Sequence, residues 1–444
     1  MYSTRILALL RKAGAEIGDS LRIASGSETY EGILMPRAEG GADSAVLKLK
    51  SGYNVGVPIG ADVKIEVVKK AGKKQTTPAT PSHAKKGALS VLGCGGTIAS
   101  KVEYVTGAVF PSLTEEELLS SVPELKGMGD MSTRVLFNLL SEDMSPEHWK
   151  IIAREVEKDA KEGAGGIVLT HGTDTMHYTS AALSFMLRNL PVPVVLVGSQ
   201  RSSDRGSSDN VVNLVCAASA AKGDVAEVSV CMHANTSDEI CWLHRGTRVR
   251  KMHTSRRDAF RSINSQPLAK IHYKTKKVEM LTDNYNRRSS GAHLEVDDKL
   301  NPNVALVHTY PGIKPGVLSA LAKHDGIVIA GTGLGHVPTN AMNDKHAQSL
   351  LPEIKNLVES GIPVVIAPQT IYGRVNLNVY TAGRLLKEAG VIGDGADWLP
   401  EVALVKLMWV LGHTKKMEKV REMMMENMAG ELSARSPTEP DYFE

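Results

Sequence analysis

Residues 168–183, VLTHGTDTMHYTSAAL, place an unusual number of small polar side chains directly behind an apolar run. A helix N-terminus would use one or two of them, because Thr and Asp side chains accept hydrogen bonds from unpaired backbone N–H groups and a carboxylate suits the positive end of the helix dipole. The number of polar groups exceeds that need. We therefore predict that Thr173 and Asp174 face a cleft, where Asp174 binds an ammonium group or orients a base.

A second stretch, SVLGCGGTIASKVEYVTGAV, leaves its apolar run through Gly93, Gly95 and Gly96 and then presents Thr97 and Tyr104. Glycines allow a sharp turn, a close approach of the backbone to a ligand, and N–H groups that point at an anion. A threonine hydroxyl is a weak nucleophile until a base takes its proton. Tyr104 could be that base; the alternative is an ordinary turn with a surface tyrosine.

A third stretch, HRGTRVRKMHTSRRDAFRS, is strongly basic. Seven of residues 245–261 are Lys or Arg, and Asp258 is the only acid among them. Such a stretch predicts either a phosphate or RNA patch or a solvated loop. Lys251 offers a third possibility, because a lysine that entered the cleft could activate Thr173.

Two other patterns lack the residues that their ligands need. GTGLGH at 331–336 matches part of a dinucleotide fingerprint, but His336 stands where Gly or Ala is required. His171, His233 and His253 show no metal-ligand spacing with acids or cysteines. We predict neither a nucleotide cofactor nor a metal in this chain.

Apolar runs alternate with helical patterns around these motifs. GALSVLG, GGIVLTHG and PVPVVLVGSQ are typical of buried strands, and the stretches beginning SPEHW, TMHYT and DNVVN of helices, the first with an apolar stripe through Trp149, Ile152 and Val156. This alternation predicts a parallel sheet with helices on both faces. Ligands bind beyond the carboxyl ends of such strands, which is where Thr173 lies.

Further patterns divide the chain into domains. VALVHTY, HDGIVIAGTG and GIPVVIAPQ predict a second, smaller α/β domain, whereas YEGILM, AVLKLK and DVKIEVVKK between Gly-rich turns predict a small antiparallel barrel. A basic stretch rich in Thr and Pro follows the barrel and is typical of a solvated linker. The predicted order is a β-barrel domain (1–72), a linker (73–86), a first α/β domain (87–285), a connecting segment (286–302), a second α/β domain (303–425) and a polar tail (426–444).

The composition is that of a globular protein in a reducing compartment. Of 444 residues, 42% are hydrophobic and 23% charged, and a formal net charge of +3 gives no general attraction to polyanions. Four cysteines without a C-x-x-C pair predict free thiols. The five-residue apolar run before Arg11 is too short for a signal peptide, and no stretch approaches the ~20 apolar residues of a membrane span. A cytoplasmic location is expected.

Seven motifs, in order along the chain, resemble the L-asparaginase/glutaminase family of amidohydrolases, which use threonine nucleophiles. Three of them, GGTIAS, HGTDT and RKMHTSRRDAF, contain the residues described above. The others are SEDMSPEHW, GSQRSSDRGSSDN, YPGI and GADWLPEVALVKL. The resemblance spans residues 87–412 and implies an asparaginase-like α/β core of two domains with parallel sheets.

The resemblance also implies two catalytic groups. Thr97 is expected to be the nucleophile that accepts the acyl group, with Tyr104 as its activating partner on a mobile loop. Thr173, Asp174 and Lys251 are expected to form the second group.

Substrate binding is implied at positions around these groups. Ser141 and Glu142 match the place where the family holds the α-carboxylate and amino group of the substrate, and Asp174 would bind the ammonium. Backbone N–H groups near Gly96 and Thr173 are candidates for an oxyanion hole, in which each donor contributes about 3 kcal/mol.

The barrel, the linker and the tail distinguish this chain from a simple asparaginase. An asparaginase-like core behind a small barrel resembles the D-subunit family of archaeal glutamyl-tRNA(Gln) amidotransferases. Members of that family hydrolyse glutamine and pass ammonia to the E subunit, which uses ATP and Mg²⁺ to convert glutamyl-tRNA(Gln) into glutaminyl-tRNA(Gln). The resemblance implies a homodimer of this chain within a heterotetramer that also contains the E subunit, tRNA contacts mainly through that partner, and no cofactor in this chain.

Two alternatives stay open at this point. One is a free-standing L-asparaginase or glutaminase that carries an accessory domain. The other is a non-catalytic RNA-binding or scaffold protein with a degenerate amidase core. The second alternative is opposed by the presence of all five expected catalytic side chains.

Overall fold

The structure is a computed structural model. It describes residues 2–35, 43–49, 54–60, 62–70, 86–96, 100–103, 108–111, 122–201, 208–289 and 291–436.

The N-terminal domain is a helix packed on a five-stranded antiparallel sheet, as expected of a small barrel-like domain. Its elements are α1 (Thr4–Lys12), β1 (Ser20–Ser25), β2 (Glu28–Leu34), β3 (Ser44–Leu49), β4 (Asn54–Pro58) and β5 (Lys64–Lys69), with the strands in the order β4-β3-β2-β1-β5. Helix α1 was not among the predicted elements. Ser3 caps this helix by accepting a hydrogen bond from Ile6 N, and Ile6 and Leu10, one turn apart, enter the core of the domain.

The next domain is built on an eight-stranded mixed sheet. Its strands, and the short strands that pair outside it, are β6 (Leu89–Cys94), β7 (Ser100–Glu103), β8 (Ala108–Pro111), β9 (Met131–Phe137), β10 (Gly166–Thr170), β11 (Leu187–Arg188), β12 (Val194–Val197), β13 (Val228–His233), β14 (Ile240–Arg245), β15 (Val249–Lys251), β16 (Phe260–Ser262), β17 (Ala269–His272), β18 (Val278–Met280) and β19 (Glu295–Val296). The helices are α2 (Pro146–Lys161), α3 (Met176–Met186) and α4 (Asn210–Ala221).

The sheet has the order β18-β17-β14-β13-β12-β10-β6-β9. The strands from β13 to β9 are mutually parallel, as the alternation of strands and helices predicted. Beyond β13, the strands β14, β17 and β18 continue the sheet in antiparallel pairs, a feature that was not predicted. Outside this sheet, β7 pairs with β8, β11 with β19, and β15 with β16.

Helices cover both faces of the parallel part, in agreement with the prediction. Along β10, Ile167 and Leu169 enter one core with α2 and α3, whereas Val168 enters another core with α4. The apolar stripe predicted on α2 is buried in the first of these cores. The carboxyl ends of β6 and β10 therefore lie side by side at one edge of the layered domain.

The C-terminal domain has a three-stranded parallel sheet, confirming the predicted second α/β unit. Its elements are β20 (Val304–His308), α5 (Pro315–Ala320), β21 (Gly326–Gly331), α6 (Leu351–Glu359), β22 (Val364–Pro368), α7 (Thr381–Glu388), α8 (Pro400–Leu411) and α9 (Met417–Met425). Helix α8 packs against α3 of the preceding domain, and side chains such as Val402 and Leu183 share one buried cluster. This packing brings Glu401, in the first turn of α8, within 3.7 Å of His177 in the first turn of α3.

The beginning of the predicted polar tail packs against the rest of the chain. Lys406 Nζ donates to Met424 O at 2.8 Å and to Glu431 Oε1 at 2.5 Å, and the side chains of Lys406 and Glu431 are fully buried. Thr247 Oγ1 donates to Ala429 O at 2.9 Å. Segment 426–436 is thus fastened to both α/β domains.

All four cysteines are buried and free, as predicted. Burial raises the pKa of the Cys94 thiol to about 12, so this side chain is an unreactive part of the core. Within the described ranges, no helix combines the length and the apolar character needed to cross a membrane.

Candidate functional site

The centre of the candidate site is a lysine that contacts two consecutive side chains. Lys251 Nζ donates a hydrogen bond of 2.9 Å to Thr173 Oγ1 and another of 2.7 Å to Asp174 Oδ1. The Lys251 side chain is 10% exposed and that of Asp174 is 67% exposed. Lys251 is therefore mostly buried beneath the exposed carboxylate of Asp174. Thr173, which Lys251 also contacts, is buried too.

The loop between β10 and α3 holds Thr173 and Asp174 in place by contacts beyond those of an ordinary helix start. Thr175 occupies the N-cap position of α3, but its side chain makes no capping hydrogen bond. Its hydroxyl instead donates to Ser141 O at 2.6 Å. Capping alone therefore does not explain this cluster of polar residues.

Lys251 is positioned by the hairpin of β15 and β16. It is the last residue of β15 and pairs with Phe260, which is completely buried. Because strand side chains alternate, anchoring this pair determines which way the lysine extends.

Two glycines bring the turn after β6 against neighbouring loops. Gly95 and Gly96 have positive φ angles of 95° and 80°. A Cβ on Gly96 would lie 2.6 Å from Gly172 N, and one on Gly95 would lie 2.2 Å from Leu139 O. Both conformation and space therefore require glycine here. The Gly96 N–H donates to Leu139 O in a long hydrogen bond of 3.4 Å.

Thr97 and Tyr104, the predicted nucleophile and its activating partner, lie outside the described residues. Gly96 immediately precedes Thr97, so the contact between Gly96 and Gly172 brings the chain to the loop of Thr173 just before the predicted nucleophile. The roles of both residues stay predictions.

The two residues predicted to hold the ends of the substrate lie beside the same loop. Ser141 and Glu142 begin the short 3-10 turn Ser141–Asp143. Ser141 is buried, and its Cβ lies 2.8 Å from the position that a Cβ on Gly172 would take. Glu142 is exposed. The structure thus groups Ser141, Glu142, Gly96, Thr173, Asp174 and Lys251 around one loop, while their binding and catalytic roles stay predictions.

His171 is a further residue of this loop, for which the sequence indicated no metal-ligand spacing and no other role was predicted. Burial lowers its pKa to about 4, so the ring is neutral near pH 7. Nδ1 donates to Gly172 O at 2.7 Å, and Nε2 accepts from Thr179 Oγ1 at 2.9 Å. Since the C=O and N–H of a trans peptide point in opposite directions, holding Gly172 O also orients the Thr173 N–H.

The basic stretch that could have formed a phosphate patch is neutralised within the chain. Every one of its seven cationic side chains forms an ion pair with a carboxylate. The pairs are Arg245–Glu227, Arg248–Asp397, Arg250–Glu401, Lys251–Asp174, Arg256–Asp258, Arg257–Asp238 and Arg261–Asp258. Most of these acids come from other parts of the sequence. The stretch is therefore basic when read as sequence, but in the fold its positive charges are nearly balanced by neighbouring carboxylates.

The described residues contain no cluster of three or more His, Cys, Asp or Glu side chains arranged to hold a metal ion. The glycine-rich stretch after β21 closes on itself, because Thr332 N donates to His336 O at 2.8 Å. The next helix, α6, begins only at Leu351, so no helix N-terminus follows this turn to bind a pyrophosphate.

Comparison with protein families divides the chain in the same order as the structure. Residues 15–68 match the GatD N-terminal domain. Residues 88–285 match the N-terminal asparaginase domain, and residues 303–424 match the glutaminase/asparaginase C-terminal domain.

Similar proteins and structures agree with this division. The chain is 49% identical to the D subunit of glutamyl-tRNA(Gln) amidotransferase from Pyrococcus furiosus, with 99% of each chain covered. It is 50% identical to the corresponding protein of the same name from Pyrococcus abyssi, over 97% of this chain and 98% of that one.

Among solved structures, the thermostable L-asparaginase of Thermococcus kodakarensis matches with a TM-score of 0.67 and 38% identity. The match covers 78% of this chain and 100% of that one. L-asparaginase I of Vibrio cholerae matches with a TM-score of 0.64 and 30% identity, covering 78% and 99%. The chain therefore belongs to the family of glutamyl-tRNA(Gln) amidotransferase D subunits, which joins an asparaginase-like core to the GatD N-terminal domain.

Proposed function

We propose that this chain is a glutaminase that supplies ammonia to a partner enzyme. The observation that carries the proposal is the contact of Lys251 with both Thr173 and Asp174. A lysine that is mostly shielded from water, yet next to a hydroxyl at a sheet edge, is suited to moving a proton to or from that hydroxyl.

In the proposed reaction, Thr97 Oγ attacks the side-chain amide carbon of glutamine after Tyr104 takes its proton. Tyr104 then gives this proton to the amide nitrogen as the C–N bond breaks. Ammonia departs, and a glutamyl ester remains on Thr97. Water attacks this ester to release glutamate. Thr173 and Lys251 provide a second hydroxyl and a proton carrier for these steps.

The substrate's charged ends would be held at the rim of the site. Asp174, with its largely exposed carboxylate, binds the α-ammonium group, and Ser141 and Glu142 hold the α-carboxylate and amino group. The backbone N–H of Thr173 and a backbone N–H from the turn near Gly96 donate hydrogen bonds to the oxyanion that forms on the amide carbonyl.

The ammonia would pass to the E subunit of the amidotransferase, which uses ATP and Mg²⁺ to amidate glutamyl-tRNA(Gln). This part of the proposal is supported by similarity to a D subunit along 99% of the chain and by the match of residues 15–68 to the GatD N-terminal domain, whereas the matched L-asparaginase of Thermococcus kodakarensis covers 78% of the chain. We propose a homodimer of this chain within a cytoplasmic heterotetramer, with tRNA contacts mainly on the partner.

The substitution Lys251→Met tests the catalytic part of the proposal. It should abolish glutamine hydrolysis and leave tRNA binding by the complex unchanged, because Lys251 is occupied within the chain. Arg256→Gln, in the same basic stretch but paired with Asp258, is the matched control and should keep wild-type turnover. Retained hydrolysis in Lys251→Met would contradict the proposed role.

A free-standing asparaginase is the second candidate, because the matched L-asparaginase structures share 30% to 38% identity with this chain. The two candidates differ in their substrate and in their dependence on a partner. Comparing kcat/KM for glutamine and asparagine, with and without the E subunit and tRNA, separates them. A preference for asparagine that ignores both additions would favour the free-standing enzyme.

A further inference from the structure

Glu401 is a buried carboxylate that lies between the two segments carrying the Thr173–Asp174–Lys251 group. It lies in the first turn of α8, in the C-terminal domain, and is 1% exposed. Arg250 Nη1 donates to Glu401 Oε2 at 2.7 Å. On the other side, His177 Nε2 lies 3.7 Å from Glu401 Oε1.

These two partners are close in sequence to the predicted catalytic residues. Arg250 immediately precedes Lys251 in β15, and His177 lies in the first turn of α3, three residues beyond Asp174. One carboxylate from another domain therefore joins the strand that carries the lysine to the helix that follows the threonine and the aspartate.

The carboxylate of Glu401 is in a strongly desolvated environment. Burial raises the pKa of Glu401, and Arg250 opposes that change. Burial also lowers the pKa of His177 to about 3, so the ring is neutral. Within the described part of the chain, His177 Nδ1 and Glu401 Oε1 have no hydrogen-bond partner. Buried polar atoms without a partner are uncommon in folded proteins, and each one calls for an explanation.

We propose that Glu401 is a positioning residue that holds Lys251 at hydrogen-bond distance from Thr173 through its ion pair with Arg250. The inference rests on the proposed glutaminase function. An arginine fixed by a buried carboxylate limits the sliding and twisting of the short strand β15, so Lys251 at its end keeps one direction. His177 packs the same carboxylate against α3. This contact keeps Lys251 in a fixed position relative to Thr173 and Asp174.

The test compares Glu401→Gln, Arg250→Met and their combination in the full chain, with glutamine as the substrate. We expect each single substitution to lower kcat at least ~10-fold while KM for glutamine changes less than about 3-fold, because the lysine is misplaced and the substrate groups are kept. The double variant should have a kcat no lower than that of the less active single variant, because both substitutions remove the same Arg250–Glu401 ion pair. Arg250→Lys, which keeps the charge, should recover most of kcat.

Asp159→Asn is the matched control for loss of a buried carboxylate. Asp159 is completely buried, accepts from Arg134 Nη1 at 2.8 Å, and contacts none of the predicted site residues that the structure describes. It should lower Tm about as much as Glu401→Gln does but leave kcat near wild type. If Glu401→Gln does not fold, Arg250→Met, whose side chain is partly exposed, still gives the kcat readout.

The outcomes separate this inference from the proposed function. Normal kcat in folded Arg250→Met or Glu401→Gln, with Lys251→Met inactive, would overturn the positioning role alone. Equal losses of kcat in Glu401→Gln and Asp159→Asn would also overturn it, because they would show a general loss of stability. Full glutaminase activity in Lys251→Met would overturn the proposed function itself.

Discussion

Lys251 and Thr173 are 78 positions apart in the sequence, yet Lys251 Nζ lies 2.9 Å from Thr173 Oγ1. The contact joins the loop after a parallel strand to the tip of a separate two-stranded hairpin. Neither element determines the distance alone. Phe260 and Arg250 anchor β15. This anchoring brings Lys251 of RKMHTSRRDAF to the Thr173 and Asp174 side chains of HGTDT.

The first prediction concerns the two threonines. Thr97→Ala should lower kcat for glutamine by ~10³-fold or more, because the acyl group has no acceptor, and Thr173→Ala should be similarly damaging. The double variant should be scarcely worse than either single variant. Steady-state glutamate release measures all three, and circular dichroism checks that they fold. Near wild-type turnover in Thr97→Ala would assign the nucleophile to another residue.

The second prediction concerns the contact between the loops that carry the threonines. Gly96→Ala should lower kcat and Tm, because the new Cβ would lie 2.6 Å from Gly172 N. Gly127→Ala is the matched control: Gly127 has a similar φ of 86°, but nothing lies within 4 Å of the Cβ position. The control should show the cost of the backbone conformation alone. Equal effects on kcat in the two variants would show that the loop contact is unimportant.

The third prediction concerns the basic stretch. Arg256→Gln and Arg261→Gln should leave the affinity of the complex for tRNA, and its salt dependence, unchanged, because both arginines pair with Asp258. An arginine that contacts a phosphate contributes close to one unit of slope in a plot of log K against log salt. Filter binding over a range of salt concentrations measures this slope. A decrease of about one unit in either variant would restore the phosphate-patch interpretation.

The fourth prediction concerns acid stability. Burial lowers the pKa of His171 to about 4 and the pKa values of His177 and His244 to about 3. In the unfolded chain a histidine has a pKa near 6.5, so below that pH the unfolded state binds more protons than the folded state. The free energy of unfolding should therefore fall as the pH drops below about 6.5, by about 1.4 kcal/mol per pH unit for each such histidine.

His244→Asn checks this prediction outside the predicted catalytic group. Its ring Nδ1 lies 2.7 Å from Ser262 Oγ, a contact that an asparagine amide can replace. Between about pH 7.5 and pH 5, urea unfolding should show that the wild-type chain loses about 2 kcal/mol more than the variant. Identical pH dependence in the two proteins would mean that His244 does not contribute.

Much of the fold could be predicted because the apolar periodicity is regular. Runs such as GGIVLTHG form strands buried on both faces, and the stripe through Trp149 on α2 faces the core. The antiparallel extension from β14 to β18 was missed because its strands are short and several of its side chains are charged or half exposed. Helix α1 was not predicted because it is only nine residues long, and two buried positions, Ile6 and Leu10, are too few to show a helical stripe.

The candidate site was less predictable where ion pairs form between distant segments. The stretch around Arg248 is basic in sequence, but two of its acids lie about 150 residues later: Asp397 just before α8, and Glu401 in the first turn of α8. The packing of α8 on α3 contributes to closing this separation. His171 had a local signal, since it lies within the polar loop itself. In the fold, His171 donates to Gly172 O because burial keeps its ring neutral and Thr179 occupies the other ring nitrogen. Neither the burial nor the contact with Thr179 can be read from the sequence.

The central claim is that this chain makes ammonia for a partner, and its most direct measurement is steady-state glutamate release by the purified full chain, with the E subunit and glutamyl-tRNA(Gln) added in turn. We predict slow hydrolysis by the isolated chain and a rise of at least ~10-fold with both additions, equivalent to ~1.4 kcal/mol of coupling, with a smaller rise for uncharged tRNA. Full activity in the isolated chain, unchanged by the partner and by tRNA, would contradict the claim and favour a free-standing amidohydrolase.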